Sequence, residues 1–169
     1  YFAQCSVLVT ADDLAMIGAT IANHGLHPET GEQVVRREVT RDMLTVALTC
    51  GMYDYAGEWA FSVGIPAKSG VGGGIVGMLP ATGGIAAFSP RLDQHGHSVR
   101  GVRAFEALLD PPFIPANGVG DDAARGNRSN GLLEGHARLH DVGQTRVERL
   151  FPAGSVQQPV VRIEQGDPG

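Results

Sequence analysis

The sequence contains a single lysine, Lys68, among its 169 residues, whereas arginine occurs twelve times. Arginine therefore supplies nearly all the positive charge, and one retained lysine indicates a need for a compact ammonium group. Lysine offers three rotatable donors and a pKa that responds to burial, whereas the arginine guanidinium is a rigid fork that stays charged. Lys68 is the first candidate functional residue, although a lysine in a turn before a strand is the commoner explanation of such a position.

Three further absences narrow the classes of function. No apolar run approaches the length of a membrane-spanning helix, and no basic segment followed by an apolar one opens the chain, so we expect a cytoplasmic protein without a membrane partner. The net charge of -5 and the lack of a basic block argue against a nucleic-acid surface. Cys5 and Cys50 are the only cysteines, and we expect both to be buried free thiols.

Capping residues and apolar spacing predict helices in the first third of the chain. Thr10 precedes Asp12, Asp13 and an apolar run at helical spacing, which predicts an amphipathic helix that ends near Gly25. A second helix is predicted to begin at a Thr40 cap and to end near residue 51.

The pattern then becomes extended. Residues 75–80 and 85–90 are short apolar segments joined by a glycine-containing turn, which predicts a hairpin. Ser98 is predicted to cap a last helix that Pro111 ends, with an apolar stripe facing the sheet. Helices, antiparallel strands and a covering helix together predict an α+β fold.

Composition divides the chain into three parts. Residues 1–110 carry the periodic pattern of one domain, whereas residues 111–158 are rich in Pro, Gly, Asn and Asp and are predicted to be a flexible linker. Within residues 159–169, an isolated apolar run predicts the first strand of a truncated C-terminal domain.

Two motifs suggest ligands and are better explained otherwise. Residues 72–77 match G-x-G-x-x-G, but they begin a strand instead of opening a helix, which argues against a dinucleotide. His136 and His140 have helical spacing but lack the glutamate of H-E-x-x-H, so we expect a solvated pair. We therefore predict no metal and no organic cofactor.

The glycine-rich segment after Lys68 is suited to stabilising an oxyanion. Glycines permit the close approach of a substrate or a second backbone, and successive N–H groups can point at a developing oxyanion. Tyr53, in a loop after a helix, is either a half-buried aromatic or a phenol that moves protons. Spacing alone does not decide between the two.

Several longer motifs carry a family resemblance. They are Tyr1-Phe2-x-Gln4-Cys5-Ser6, Ala22-Asn23-x-Gly25, Pro28-x-Thr30-Gly31-Glu32, Thr49-Cys50-Gly51-Met52-Tyr53-Asp54, Gly57-Glu58-Trp59-Ala60, Pro66-Ala67-Lys68-Ser69-Gly70-Val71-x-Gly73-Gly74-Ile75, Phe88-Ser89-Pro90-x-Leu92-Asp93 and Ser98-Val99-Arg100-Gly101. Together they resemble the C-terminal half of the serine-dependent glutaminases, from residue 1 to about residue 109.

The resemblance implies the C-terminal half of a β-lactamase/transpeptidase-like fold that hydrolyses L-glutamine to L-glutamate and ammonia. In that family a serine in Ser-x-x-Lys forms an acyl-enzyme without metal or cofactor. We also expect the complete enzyme to be a homo-oligomer.

The resemblance also assigns site residues. Tyr53 matches the active-site tyrosine, Val71 the residue whose backbone N–H contributes to the oxyanion hole, and Tyr1 a substrate-binding tyrosine. Lys68, Ser69 and Gly70 match the Lys-Ser-Gly that supports the pocket wall.

One departure from the family bears on activity. No Ser-x-x-Lys occurs, because Ile65 stands three residues before the only lysine. We expect the nucleophile to lie upstream in a longer protein, so that this chain is a fragment that is inactive alone.

Two alternatives to that reading stay open. One is an inactive remnant of such a domain. The other is a penicillin-interactive serine hydrolase, suggested by the likeness of Lys-Ser-Gly to the Lys-Thr-Gly of penicillin-recognising enzymes.

The C-terminal residues also resemble the opening strand of a STAS domain, which some bacterial glutaminases carry.

Overall fold

The computed structural model describes residues 1–109, 145–149 and 160–165. In these residues the helices and strands follow one another as α1 (Phe2–Cys5), α2 (Ala11–Ala22), α3 (Arg37–Cys50), a 3-10 turn (Tyr53–Tyr55), α4 (Ala56–Ser62), β1 (Ala67–Ser69), β2 (Gly74–Leu79), β3 (Gly83–Phe88), α5 (Val99–Leu108), β4 (Thr145–Arg149) and β5 (Val160–Gln165). None of the described helices has the length and apolar character that a membrane crossing requires.

The strands form one sheet in the order β1-β2-β3-β5-β4. β1, β2 and β3 are antiparallel neighbours, with Lys68 opposite Val76 and Ile75 opposite Ala87. β5 pairs parallel with β3 and antiparallel with β4. The predicted hairpin and the α+β class are confirmed.

Alternation along β2 gives each face of the sheet its own core. Ile75 and Leu79 pack with Phe105 of α5 and Trp59 of α4 in the larger cluster. Met78 faces the other way, where it packs against residues of α2 and α3. The two-residue period of a strand produces this division, and it places α5 over the sheet as predicted.

Small residues let α2 lie unusually close to the sheet. Ala15, Ala19 and Ala86 form a buried cluster between helix and strand. A Cβ on Gly84 would lie 2.2 Å from the Ala15 carbonyl oxygen, and one on Gly18 would lie 2.9 Å from the Gly77 oxygen. Glycine is therefore required at this crossing for steric reasons.

Two predicted caps are confirmed and one is wrong. Thr10 and Asp13 form a reciprocal capping box, and the Ser98 hydroxyl accepts a hydrogen bond from the Gly101 N–H at 3.0 Å. The second helix begins at Arg37, not after Thr40, and the Thr40 hydroxyl donates to the Arg37 carbonyl oxygen at 2.8 Å. The extended backbone of Arg36 starts α3 without a side-chain cap, which leaves no local signal in the sequence.

Both cysteines are free, but the expected burial is wrong because both are exposed. Helix α3 buries only Thr40 and Ala47, so Cys50 at its end lies outside the core. Its thiol donates back to the Val46 carbonyl oxygen at 3.2 Å.

The C-terminal strands bear on the predicted linker. Thr145–Arg149 falls within residues 111–158 and forms β4, a strand that the composition did not predict. Its only strongly apolar residue is Val147, which is too little to signal a strand by pattern. The predicted isolated strand exists as β5, but it pairs with β3 and β4. The domain boundaries themselves stay a prediction.

Candidate functional site

The end of α3 lies against β1, and this contact brings distant residues together. A Cβ on Gly51 would lie 1.8 Å from the Ala67 carbonyl oxygen, so only glycine permits the approach. The Ser69 N–H donates to the Gly51 carbonyl oxygen at 3.2 Å. Met52, which follows, is fully buried and anchors the turn. Lys68 on β1 is thereby placed beside Tyr53.

Lys68 and Tyr53 are in direct contact. The Lys68 ammonium donates to the Tyr53 hydroxyl oxygen at 3.2 Å, and its Nζ lies 4.3 Å from the centroid of the Tyr53 ring. The same ammonium also donates to the Ser69 carbonyl oxygen. An ammonium at this distance stabilises negative charge that develops on a phenol oxygen. The pair is therefore suited to proton exchange at Tyr53.

Tyr53 has an unusual backbone conformation. Its φ of 50° lies in the left-handed region, which is uncommon for residues other than glycine. Such a conformation costs about 1–3 kcal/mol, and it persists where the surrounding structure imposes it, often at functional sites. The side chain is 46% exposed, so the phenol is open to a ligand.

Two further aromatic rings stand beside Tyr53. The His97 ring is stacked on it with centroids 5.7 Å apart and planes inclined by 8°. Tyr55 contacts His97 at 5.7 Å and His95 at 5.6 Å. His97 is fully buried, and neither ring nitrogen has a hydrogen-bond partner among the described residues.

The loop that carries both histidines is organised by Asp93. Its carboxylate accepts hydrogen bonds from the N–H groups of His95 and His97, each at 2.9 Å. Its own N–H donates to the His97 carbonyl oxygen at 2.8 Å. Burial acts to raise the pKa of the Asp93 carboxyl, but the N–H groups of His97 and then His95 outweigh it and lower the pKa below its ordinary value.

Burial and two nearby carboxylates act in the same direction on Tyr55. Burial raises the pKa of Tyr55, and repulsion from Glu58 and then Glu106 raises it further, against a smaller opposing effect of Ser62. Burial likewise raises the pKa of Glu106, followed by the charge of Glu58. These effects disfavour ionisation of the Tyr55 phenol, whose ring contacts His97.

Val71 lies on a tight turn between β1 and β2. The Gly70 N–H donates to the Gly74 carbonyl oxygen, and the Gly73 N–H to the Gly70 oxygen, both at 2.9 Å. Val71 is 74% exposed, and its N–H donates no hydrogen bond within residues 1–109 and the two C-terminal strands. The turn therefore presents an available backbone donor close to β1.

Two other sequence-derived candidates have different surroundings. Ser69 is buried, and its hydroxyl has no hydrogen-bond partner among the described residues. Tyr1 is 89% exposed and has a ring contact only with Phe2 in the part of the chain that the structure describes. Tyr53 and Lys68 are thus in contact, whereas Tyr1 contacts neither of them in the part of the chain that the structure describes.

Sequence reasoning did not identify His95 and His97 as candidate residues. Asp93 followed by Gly96, whose φ is 83°, was the available sign of an ordered turn. No metal-ligand group of three or more His, Cys, Asp or Glu side chains exists in the described ranges. The His136 and His140 pair lies outside these ranges.

Comparison with known proteins identifies relatives of this chain. Glutaminase 1 of Bradyrhizobium diazoefficiens is 57% identical over 123 residues, which are 73% of this chain and 20% of that protein. A glutaminase of Trichormus variabilis is 57% identical over 108 residues, which are 64% of this chain and 32% of its own length. The chain therefore spans a third or less of these relatives.

A solved structure gives the same result. It is the covalent complex of the Bacillus subtilis glutaminase YbgJ with 5-oxo-L-norleucine, formed by reaction with 6-diazo-5-oxo-L-norleucine. It matches 64% of this chain and 39% of its own at 35% identity, with a TM-score of 0.60. A sequence model of the glutaminase family matches residues 1–111. The chain therefore belongs to the glutaminase family.

Proposed function

We propose that this chain forms the C-terminal part of an enzyme that hydrolyses L-glutamine to L-glutamate and ammonia. The observation that carries the proposal is the contact of Lys68 with the strained, exposed Tyr53, within the residues that the glutaminase family model matches. The serine of Ser-x-x-Lys is absent from the sequence and would come from a further part of the enzyme.

The reaction divides into two acyl-transfer steps. The serine oxygen attacks the side-chain amide carbon, the C–N bond breaks, and nitrogen leaves as ammonia after gaining a proton. Water then attacks the ester carbon, the C–O bond to serine breaks, and the serine recovers its proton as L-glutamate leaves. The covalent complex of YbgJ with 5-oxo-L-norleucine supports a reaction that passes through a covalent intermediate.

The residues of this chain have separate roles in the proposal. The Tyr53 phenol passes the proton between the serine and the departing nitrogen, and Lys68 stabilises charge on the phenol oxygen. The Val71 N–H, which has no other partner among the described residues, donates to the oxyanion. Ser69 and Gly70 support the pocket wall. Tyr1 would bind substrate only once the remaining part of the enzyme is in place.

The proposal is tested with a chimera that joins this chain to the N-terminal part of the Trichormus variabilis glutaminase. Ammonia release is followed for the chimera, for Tyr53→Phe and for Tyr55→Phe, a matched loss of one hydroxyl from a neighbouring ring. We expect Tyr53→Phe to lower kcat by about 10²–10⁴-fold, the range for a lost acid-base group. Tyr55→Phe should retain most of the activity.

Three results would contradict the proposal or favour an alternative. An unchanged kcat in Tyr53→Phe would contradict the role of the phenol. A chimera that folds and releases no ammonia would favour the inactive remnant, and covalent labelling by a β-lactam would favour the penicillin-interactive hydrolase.

We propose that the complete enzyme is a homo-oligomer, as expected from the family resemblance, and that it is cytoplasmic, as expected from the sequence pattern. Size-exclusion chromatography of the chimera tests the oligomeric state, and a monomer would contradict it.

A further inference from the structure

His97 is a residue that the proposed reaction does not use, although it lies against Tyr53. We propose that His97 is a positioning residue: its ring face holds the Tyr53 phenol in line with the Lys68 ammonium. The catalytic meaning of this support rests on the proposed function, but the support itself is a property of the chain alone.

Tyr53 has few other contacts that could orient its ring. The ring belongs to a three-residue 3-10 turn and is nearly half exposed. Lys68 contacts it only through the end of a long exposed side chain, and one such contact does not set the plane of the ring. Among the described residues, His97 supplies the only ring contact that Tyr53 makes. An offset parallel pair at 5.7 Å is a favourable aromatic geometry.

His97 is itself held firmly, as a support must be. Its N–H and its carbonyl oxygen both bond to Asp93, and its ring is fully buried against Tyr55. Ser98, the next residue, caps α5. The backbone of His97 is therefore fixed on both sides, and α5 anchors it to the main core.

The unpaired ring nitrogens show what sets the position of this ring. Buried polar atoms are nearly always hydrogen-bonded, and an exception calls for an explanation. Neither nitrogen of His97 has a partner among the described residues, so contacts between rings determine where the imidazole lies. The planar ring of His97, and not its nitrogen atoms, therefore makes the contacts with Tyr53 and Tyr55.

Two substitutions separate a flat face from simple filling of space. His97→Phe keeps a planar ring, whereas His97→Leu fills a similar volume without one. The 169-residue chain is labelled with ¹³C on the rings of its three tyrosines, and Tyr53 is assigned by Tyr53→Phe. The indole N–H of Trp59, which donates to the Ile65 carbonyl oxygen at 2.8 Å, reports whether each variant keeps its core.

We expect the unmodified chain to show nuclear Overhauser contacts from the Tyr53 ring to the His97 ring and to the Lys68 side chain. His97→Leu should move the Tyr53 ring signals toward unfolded-chain values and remove the Lys68 contact, and His97→Phe should retain that contact. Unchanged Tyr53 signals in His97→Leu would overturn the proposal. Absence of the Tyr53–His97 contact in the unmodified chain would overturn it without any variant.

The chimera adds a kinetic readout that a purely structural role would not move. His97→Leu should lower kcat by up to about 10²-fold with a smaller change in KM, since small misplacements of reacting groups have effects of this size. His97→Phe should recover kcat. If the unmodified chimera is inactive while the nuclear Overhauser contacts are present, the proposed function fails and the positioning of Tyr53 by His97 stands.

Discussion

Replacing Gly51 by alanine should destabilise the fold and separate Lys68 from Tyr53. Gly51 has an ordinary helical backbone, with φ of -65° and ψ of -23°, so alanine brings no conformational penalty. Its Cβ would nevertheless lie 1.8 Å from the Ala67 oxygen and 2.5 Å from the Ala47 oxygen. Moving Ala67 to a tolerable 3.0 Å displaces β1 by more than an ångström.

The expected size follows from overpacking, which costs about 1–3 kcal/mol. For a chain of this length, each kcal/mol corresponds to roughly 2–4 °C in melting temperature. A shift of β1 by this amount would also break the 3.2 Å bond from Lys68 to Tyr53. Activity in the chimera should therefore fall in parallel with stability.

Urea and thermal unfolding followed by the fluorescence of Trp59, the only tryptophan, measure the effect. Gly57→Ala is the matched control, because a Cβ there has no atom within 4 Å and the residue lies in α4. Alanine should stabilise that helix by about 0.5–1 kcal/mol. Equal stability of Gly51→Ala and the unmodified chain would refute the steric argument.

Two predictions concern the pH dependence of stability. Because the pKa of Glu106 is raised, the protonated carboxyl stabilises the folded chain, and this contribution is lost as the pH rises through the raised pKa. Glu106→Gln should therefore raise the melting temperature near pH 7. It should have little effect below about pH 4.3, the ordinary glutamate pKa. A decrease near pH 7 would contradict this. The lowered pKa of Asp93 has the opposite sign: its stabilisation is present above about pH 3.9 and is lost as the pH falls through the lowered value. Asp93→Asn should therefore lower the melting temperature at neutral pH, and the difference should shrink in acid; a difference independent of pH would show that the charge is unimportant.

Features formed within a few residues could be predicted from the sequence. The Thr10–Asp13 box, the Ser98 cap and the β2–β3 hairpin all depend on contacts that a short window contains. The start of α3 could not be predicted in this way, because its N-cap residue, Arg36, makes no side-chain capping hydrogen bond.

In the candidate site, too, single residues could be predicted from the sequence, whereas the contacts between them could not. Tyr53 and Lys68 were identified individually, but their contact depends on the packing of Gly51 against Ala67, which no periodicity reveals. His97 reaches Tyr53 only because Asp93 folds its loop back onto the 3-10 turn. The assignments of Tyr1 and Val71 came from the family resemblance, and they remain predictions.

The position of Lys68 at the edge of the sheet has a consequence for solubility. Among the described strands, β1 lies at the edge of the sheet and has only three residues, with Lys68 exposed at its centre. An exposed edge is a template on which another chain can add a strand, and proteins prevent this with very short edge strands and with lysine. The single lysine of the chain therefore stands where it also discourages aggregation, and an apolar replacement would remove that protection together with the contact to Tyr53.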